Sequence, residues 1–174
     1  MEGQEVAMMD RTEESFQGPH PSLAPKRGRV VVGVDGSDSA HEALRYAAAV
    51  ARWQHWTLEI VHAWHVNYPL SPYGGIELAE ITSTAADVAA RVVRDAEKEV
   101  LGDDSTLDIR HSILEGLPAR TLIDASEGAD LVVVGSRGRG GFSSLALGSV
   151  GQACVHHAHC PVLIVRPKTS ETSP

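Results

Sequence analysis

The segment Arg29-Val30-Val31-Val32-Gly33-Val34-Asp35-Gly36-Ser37 decides the fold. A run of β-branched residues of this length predicts a buried strand, and the Asp-Gly-Ser behind it predicts a sharp turn. Ser39 and Glu42 then have the spacing of a capping box, in which a hydroxyl and a carboxylate satisfy free amides at a helix start. Small apolar residues follow at helical spacing as far as Gln54. Strand, turn and helix in this order predict the first unit of an α/β fold.

The alternation of strand and helix continues to the end of the chain. Further strands are predicted at 57–64, 107–113, 131–134 and 161–165, and further helices at 76–101, 118–125 and 149–157. Pro118 suits a first helical position, and Gly102 suits the residue that ends a helix. The pattern predicts a Rossmann-like three-layer α/β sandwich, in which a five-stranded parallel sheet has four helices on its two faces. We expect residues 28–168 to form this domain, and residues 1–27 and 169–174 to be flexible tails.

Charge is divided unevenly along the chain. The net charge is -8, yet no Asp or Glu occurs between Leu131 and Ser170, where the basic residues are Arg137, Arg139, Arg166 and Lys168. An acidic chain without a long basic run is not expected to bind nucleic acid, because that affinity rests on neutralising phosphates. The acid-free region is where we expect an anionic ligand.

Signals for export or membrane insertion are not recognisable in the sequence. The opening MEGQEVAMMDRTEESF carries acids where a signal peptide would carry positive charge, and no apolar run approaches the ~20 residues that span a bilayer. Two cysteines, Cys154 and Cys160, are too few for a disulfide framework. We therefore expect a cytoplasmic protein with no membrane partner.

The fourth predicted strand leads into a glycine-rich loop from Gly135 to Gly148. Glycine lets the main chain approach a bulky group closely, and successive free amides form an anion-binding concavity. Ser149 follows at a helix start, where unpaired amides and the positive end of the dipole favour phosphate. The loop matches neither the P-loop, nor the dinucleotide fingerprint GxGxxG, nor GxSxG. Its own spacing is Gly135-x2-Gly138-x9-Gly148-Ser149.

This spacing resembles the glycine signature of the ATP-binding branch of the universal stress protein family. The resemblance extends from Arg29 to Pro167 and includes VVVGVDGSDSAHEAL, VHAW, GLPA and CPVLIVRP in register with the loop. It implies ATP, or AMP or ADP, bound along the carboxyl edge of the sheet. It also implies a homodimer that pairs antiparallel through the last strand, which consists of Val162, Leu163, Ile164 and Val165.

The resemblance also implies which residues bind the nucleotide. Gly33 and Asp35 would lie beside the adenosine, and Ala63 would line the adenine pocket. The loop would wrap ribose and phosphates with Gly135, Ser136, Arg137, Gly138, Arg139, Gly140 and Gly141, and close over the phosphates with Gly148, Ser149 and Val150. Asp35 could accept a hydrogen bond from ribose or adenine, or hold Mg²⁺ through water, and no site is expected that binds a metal through protein ligands alone. Arg137 and Arg139 could pair with phosphate oxygens or be solvated.

The histidines near the C-terminus suggest a metal site at first sight. Adjacent helical residues diverge by about 100°, so at most His156 and His159 share a helix face. We expect a histidine-rich helix end, favoured by the negative end of the helix dipole.

Three functions are open on the sequence. The chain could be a regulatory protein whose ATP occupancy biases a surface that partners recognise, a slow ATPase or phosphotransferase, or a stress-associated dimer with no use for nucleotide. No acid or lysine lies between Leu131 and Val165, so a catalyst would depend on Asp35. We favour the first function, with no catalytic residue assigned and little or no turnover.

Overall fold

The computed structural model describes residues 27–65, 76–139 and 147–167, with the backbone alone for residues 76–81. Its elements in chain order are β1 (Arg29–Gly33), α1 (Asp38–Gln54), β2 (Thr57–Trp64), α2 (Ile76–Val100), β3 (Ile109–Glu115), α3 (Pro118–Ala125), β4 (Leu131–Gly135), α4 (Ser149–His157) and β5 (Val162–Val165). The strand order is β3-β2-β1-β4-β5, and every neighbouring pair is parallel. The predicted Rossmann-like α/β fold is confirmed.

Two apolar layers hold the helices on the two faces of the sheet. On one face, α1 and α2 pack with Ala43, Leu44, Ala47, Ala48, Ala51, Val93 and Ala96 against Val30, Val32, Ile60 and Val133. On the other face, Leu122 of α3 and Cys154 of α4 pack against Val31, Val61, Val132 and Val134. Successive residues of β1 and β4 enter opposite layers, which explains why these strands, apart from Arg29 at the start of β1, are apolar throughout rather than alternating. Within the part of the chain that is described, no helix has the length and apolar character of a bilayer span.

Several predicted boundaries agree with the structure, and β3 differs. The bounds of β2 and α4 are those predicted, Pro118 is the first residue of α3, and Gly102 behind α2 has a φ of 61°. The third strand begins two residues later than predicted, at Ile109. Pairing with β2, which runs from Leu58↔Ile109 to Trp64↔Glu115, fixes its position. The alternation of apolar residues in the sequence does not show which residues of β3 pair with which residues of β2.

The predicted capping box at Ser39 is wrong. The cap of α1 is Ser37, whose extended backbone precedes the helix and whose hydroxyl accepts a hydrogen bond from the N–H of Ala40 at 3.2 Å. Ser39 is already inside the helix and is buried. It lies against the end of β4, where a Cβ added to Gly135 would be 2.5 Å from its hydroxyl oxygen. The packing of α1 on the sheet therefore turns this hydroxyl inward and leaves the cap to Ser37.

The strand order reverses at β1, and this reversal creates a crevice. The chain adds β2 and β3 on one side of β1 and then crosses to β4 on the other side. Pairing of β1 with β4 runs through Val32↔Val133, whereas β4 pairs with β5 through Gly135↔Val165. The ends of the two central strands thus leave a gap at the carboxyl edge, where open α/β sheets bind ligands.

Candidate functional site

Asp35 lies just beyond β1 and joins the two sides of the crevice. Its Oδ1 accepts a hydrogen bond from the backbone N–H of Ser37 at 3.0 Å, and its Oδ2 accepts one from the backbone N–H of Arg139 at 3.0 Å. The first bond orders the turn between β1 and α1. The second ties the start of the glycine-rich loop to that turn. Hydrogen bonds to a carboxylate are stronger than neutral ones, so this side chain defines the local shape of the crevice.

Gly138 lies directly against this carboxylate. A Cβ added to Gly138 would be 2.7 Å from Oδ2 of Asp35, which is too close for any side chain. On the other side of the turn, Gly36 has a φ of 77°, and the guanidinium of Arg139 lies over it, with Nη2 2.8 Å from an added Cβ. Gly138 is therefore favoured by the contact between loop and turn, whereas Gly36 is favoured by its left-handed backbone.

Two other glycines of the predicted site are explained by helix packing. A Cβ added to Gly33, at the end of β1, would be 2.8 Å from Cδ1 of Leu122 on α3. One added to Gly135, at the end of β4, would be 2.8 Å from the backbone carbonyl of Ser39 on α1. Their lack of a side chain lets these helices approach the sheet closely. A contact of either glycine with a nucleotide stays a prediction.

The two ends of the loop meet beside the end of β4. Ser136 is buried, donates its N–H to the carbonyl of Val165 at 2.7 Å, and accepts a hydrogen bond from the N–H of Gly148 at 2.8 Å. Gly148 has ordinary backbone angles, and an added Cβ would be 3.6 Å from its nearest neighbours, an ordinary contact. Among residues 27–65, 76–139 and 147–167, nothing crowds a side chain at Gly148. Gly140 and Gly141 lie outside the described residues.

The N-terminus of α4 adds a second group of anion-binding donors. Gly148 is the cap residue, no side chain caps the helix, and its first turn contains no acidic residue. Ser149 is exposed, whereas Val150 is half-buried and packs against the core on the α3 side. The amide groups of an uncapped first turn can bind phosphate, which the positive end of the dipole also favours.

The two arginines of the loop form no ion pair with an acidic side chain of the described residues. Arg137 and Arg139 are exposed, and in the described ranges neither guanidinium lies within salt-bridge distance of a carboxylate. Unpaired guanidinium groups, free amides and small residues at one sheet edge fit the phosphates of a nucleotide.

Ala63 reaches the same edge from β2. It lies two residues beyond Val61, the partner of Gly33, and is half-buried in register with Leu114 of β3. The structure thus places Ala63 near the level of Asp35, on the strand next to β1. That it lines an adenine pocket stays a prediction.

The sequence interpretation missed two buried polar side chains at this edge. Nδ1 of His62 is 2.7 Å from the carbonyl oxygen of Val34. The hydroxyl of Ser39 accepts a hydrogen bond from the N–H of Arg137 and donates to the carbonyl of Val165, both at 3.4 Å. A histidine inside the apolar run TLEIVHAW was a visible signal for the first. Ser39 was missed because the sequence analysis interpreted its hydroxyl as the cap of α1.

The C-terminal histidines form a helix end, as predicted. His156 and His157 are exposed in the last turn of α4. Across the ranges for which coordinates are described, no three His, Cys, Asp or Glu side chains are grouped so that they could hold a metal ion.

Comparison with known proteins gives one consistent family. The model of the universal stress protein family matches residues 26–166. A universal stress protein of Mycobacterium tuberculosis is 36% identical over 154 residues, which are 88% of this chain and 49% of the relative. One of Methanocaldococcus jannaschii is 29% identical over 147 residues, which are 82% of this chain and 84% of the relative. The chain thus spans about half the length of the mycobacterial relative.

Solved structures agree with this family. Universal stress protein UspA from Lactobacillus plantarum superposes with a TM-score of 0.69 at 25% identity, covering 80% of this chain and 98% of that one. A universal stress protein solved in complex with cAMP superposes with a TM-score of 0.61 at 27% identity, covering 81% and 98%. The sequence match over residues 26–166 and the shared fold lead to one conclusion: the chain belongs to the universal stress protein family.

Proposed function

We propose that this protein is an ATP-binding regulatory protein of the stress response that acts as a cytoplasmic homodimer with little or no turnover. The observation that carries the proposal is the contact between Asp35 and the backbone N–H of Arg139. It brings the start of the glycine-rich loop to the end of β1, and the hydrogen bond from Gly148 to Ser136 holds the uncapped start of α4 beside the same loop. The loop and the start of α4 both belong to the acid-free stretch of sequence.

Adenine nucleotides are the ligand class that the relatives support. A structure 27% identical to this chain was solved with cAMP. The choice of ATP rests on two groups of phosphate donors, the loop with its unpaired arginines and the first turn of α4. Asp35 already accepts two backbone N–H groups, so it would hold Mg²⁺ through water rather than directly.

Purified protein should release intact ATP, one nucleotide per chain, when it is denatured and examined by mass spectrometry. After incubation with added ATP for hours, phosphate release should not exceed that of the Asp35→Asn variant. Catalysis would need a base beside the terminal phosphate, and no acid or lysine lies between Leu131 and Val165 to serve as one.

Two results would contradict this prediction. Phosphate release that disappears in Asp35→Asn would identify a slow ATPase or phosphotransferase. Absence of any adenine nucleotide, both co-purified and added, would support the stress-associated dimer that makes no use of nucleotide.

The dimer is proposed to form through β5. This strand pairs with β4 on one side, and no strand within the described ranges pairs with its other side. Val165 is buried, whereas Leu163 is 37% exposed on the unpaired edge strand. An edge with free backbone groups and apolar side chains needs a partner, and antiparallel pairing with a second copy supplies one.

Leu163→Glu should strongly weaken the dimer, because it places a charge on the apolar edge of each copy, which the proposed interface would bury. We expect the dimer to weaken about a hundredfold or more, since like charges across an interface cost several kcal/mol and about 1.4 kcal/mol is tenfold in Kd. Light scattering on a size-exclusion column measures the change. The matched control is Leu114→Glu, which alters a leucine that is 49% exposed on the opposite edge strand β3. If the dimer survives Leu163→Glu but dissociates in Leu114→Glu, the interface lies at β3 rather than at β5, and the proposed interface is wrong.

A further inference from the structure

We propose that His62 is a positioning residue of the nucleotide site. Its buried imidazole holds the segment Val34–Asp35 beyond the end of β1 and thereby aligns Asp35 with the glycine-rich loop. The consequence for ligand affinity rests on the proposed nucleotide function, whereas the alignment of the loop does not.

The first step of the argument is the hydrogen bonding of Val34. Regular pairing of β1 ends at Val32↔Val133 on one side and at Gly33↔Val61 on the other. The N–H of Val34 still donates to the carbonyl of Val61 at 2.9 Å, and its own carbonyl accepts from Nδ1 of His62 at 2.7 Å. The side chain therefore supplies a hydrogen bond at the point where the sheet opens into the crevice.

The second step concerns why an imidazole is needed there. A carbonyl oxygen can only accept, so Nδ1 of His62 must carry the hydrogen. Val34 is 4% exposed and His62 is 8% exposed, so water has little access to replace this bond. An apolar side chain at position 62 would leave a buried carbonyl without a partner, which is among the costly defects of a folded protein.

The third step links His62 to Asp35. The carbonyl of Val34 and the N–H of Asp35 belong to one peptide unit, which is planar and rigid. Fixing that carbonyl therefore fixes the direction in which the main chain enters Asp35. The carboxylate of Asp35 then accepts the N–H groups of Ser37 and Arg139, each at 3.0 Å. His62 thus acts on the loop through one peptide plane and one carboxylate.

Four variants test the proposal. His62→Leu removes the donor, and His62→Asn keeps an amide nitrogen near the position of Nδ1. His62→Gln places its nitrogen one bond further out, near the position of Nε2, where it does not match the carbonyl of Val34. Thr57→Val is the matched control, since it removes a buried hydroxyl that donates to Asp108 at 2.8 Å from the other end of β2.

The first readout is hydrogen exchange of the nucleotide-free protein, resolved at the amides of Ser37 and Arg139. The second is the affinity for ATP, measured by titration calorimetry. In His62→Leu and His62→Gln we expect both amides to exchange about tenfold faster and ATP to bind about tenfold more weakly, as for one lost buried hydrogen bond. His62→Asn should remain within about threefold of wild type in both measurements. Thr57→Val should lower the melting temperature and leave both unchanged.

The proposal is overturned if His62→Asn behaves like His62→Leu, or if Thr57→Val has the same effect on the two amides. Unchanged exchange in His62→Leu overturns it as well. If wild-type protein binds no adenine nucleotide, the proposed function fails, and the exchange rates still decide whether His62 positions the loop. Should His62→Leu fail to fold, His62→Gln and His62→Asn supply the same comparison.

Discussion

Gly138→Ala should remove the bound nucleotide while leaving the sheet folded. The new Cβ would lie 2.7 Å from Oδ2 of Asp35, so either the carboxylate turns away or the loop withdraws from it. The hydrogen bond from the N–H of Arg139 would then be lost. A hydrogen bond to a charged group contributes about 1.5–3 kcal/mol, which corresponds to about a tenfold to hundredfold loss of affinity. Titration calorimetry with ATP and mass spectrometry of denatured protein both measure this loss.

Gly148→Ala is the informative companion to Gly138→Ala. The glycine spacing in the sequence predicts the same loss of nucleotide for both variants. At Gly148, however, an added Cβ would be 3.6 Å from the nearest atoms of the described residues, so these residues do not oppose it. Weaker binding in this variant would therefore report the close approach of the ligand itself. Full ATP affinity in Gly138→Ala, with a normal melting temperature, would disprove the role of the Asp35 contact.

Among the glycine-to-alanine variants considered, Gly135→Ala should lower the free energy of unfolding the most. Its Cβ would lie 2.5 Å from the hydroxyl of Ser39 and 2.8 Å from the backbone of that residue, so α1 would have to move away from the sheet. Overpacking of this kind costs about 1–3 kcal/mol, which corresponds to a fall of about 3–10 °C in Tm for a domain of this size. Thermal unfolding followed by circular dichroism measures it.

Gly33→Ala is the matched control for Gly135→Ala, because the two glycines end neighbouring central strands. At Gly33 the close atom is Cδ1 of Leu122, at 2.8 Å, the far end of a flexible side chain. Leu122 can change rotamer, whereas the backbone of Ser39 cannot. We expect the Tm to fall by at most about half as much as in Gly135→Ala. Equal losses in both variants would show that backbone contact is not the cause.

The bounds of a helix or strand could be predicted from the sequence where the local residue pattern and the tertiary packing favour the same residues. β2 and α4 have the predicted bounds because turn residues and a change of periodicity mark both ends of each. The start of α1 could not be predicted in this way, because Ser37 and Ser39 both suit a helix cap. The packing of α1 against Gly135 decides between them, and that contact joins residues distant in sequence.

In the candidate site, too, some features could be predicted from the sequence and others depend on tertiary contacts. Glycine spacing indicated a phosphate loop after β4, and the structure places its ends beside Asp35 and the start of α4. The spacing did not reveal why each glycine is needed. Gly33 and Gly135 give space to helices, and Gly138 gives space to a carboxylate. The histidine inside the apolar run TLEIVHAW signals a buried polar side chain, but its partner, the backbone carbonyl of Val34, could not be read from the sequence.

The different surroundings of Gly135 and Gly148 determine how this crevice can change in evolution. Any side chain at position 135 disturbs α1 whether or not a ligand is present, so the requirement to fold removes such variants. A methyl group at position 148 would make only ordinary contacts with the described residues, so under the proposed function the nucleotide is the main constraint there. Under that proposal, a lineage could alter or abandon its nucleotide through position 148 and keep a stable domain. Divergence of ligand preference should begin at the start of α4, while the end of β4 stays constant.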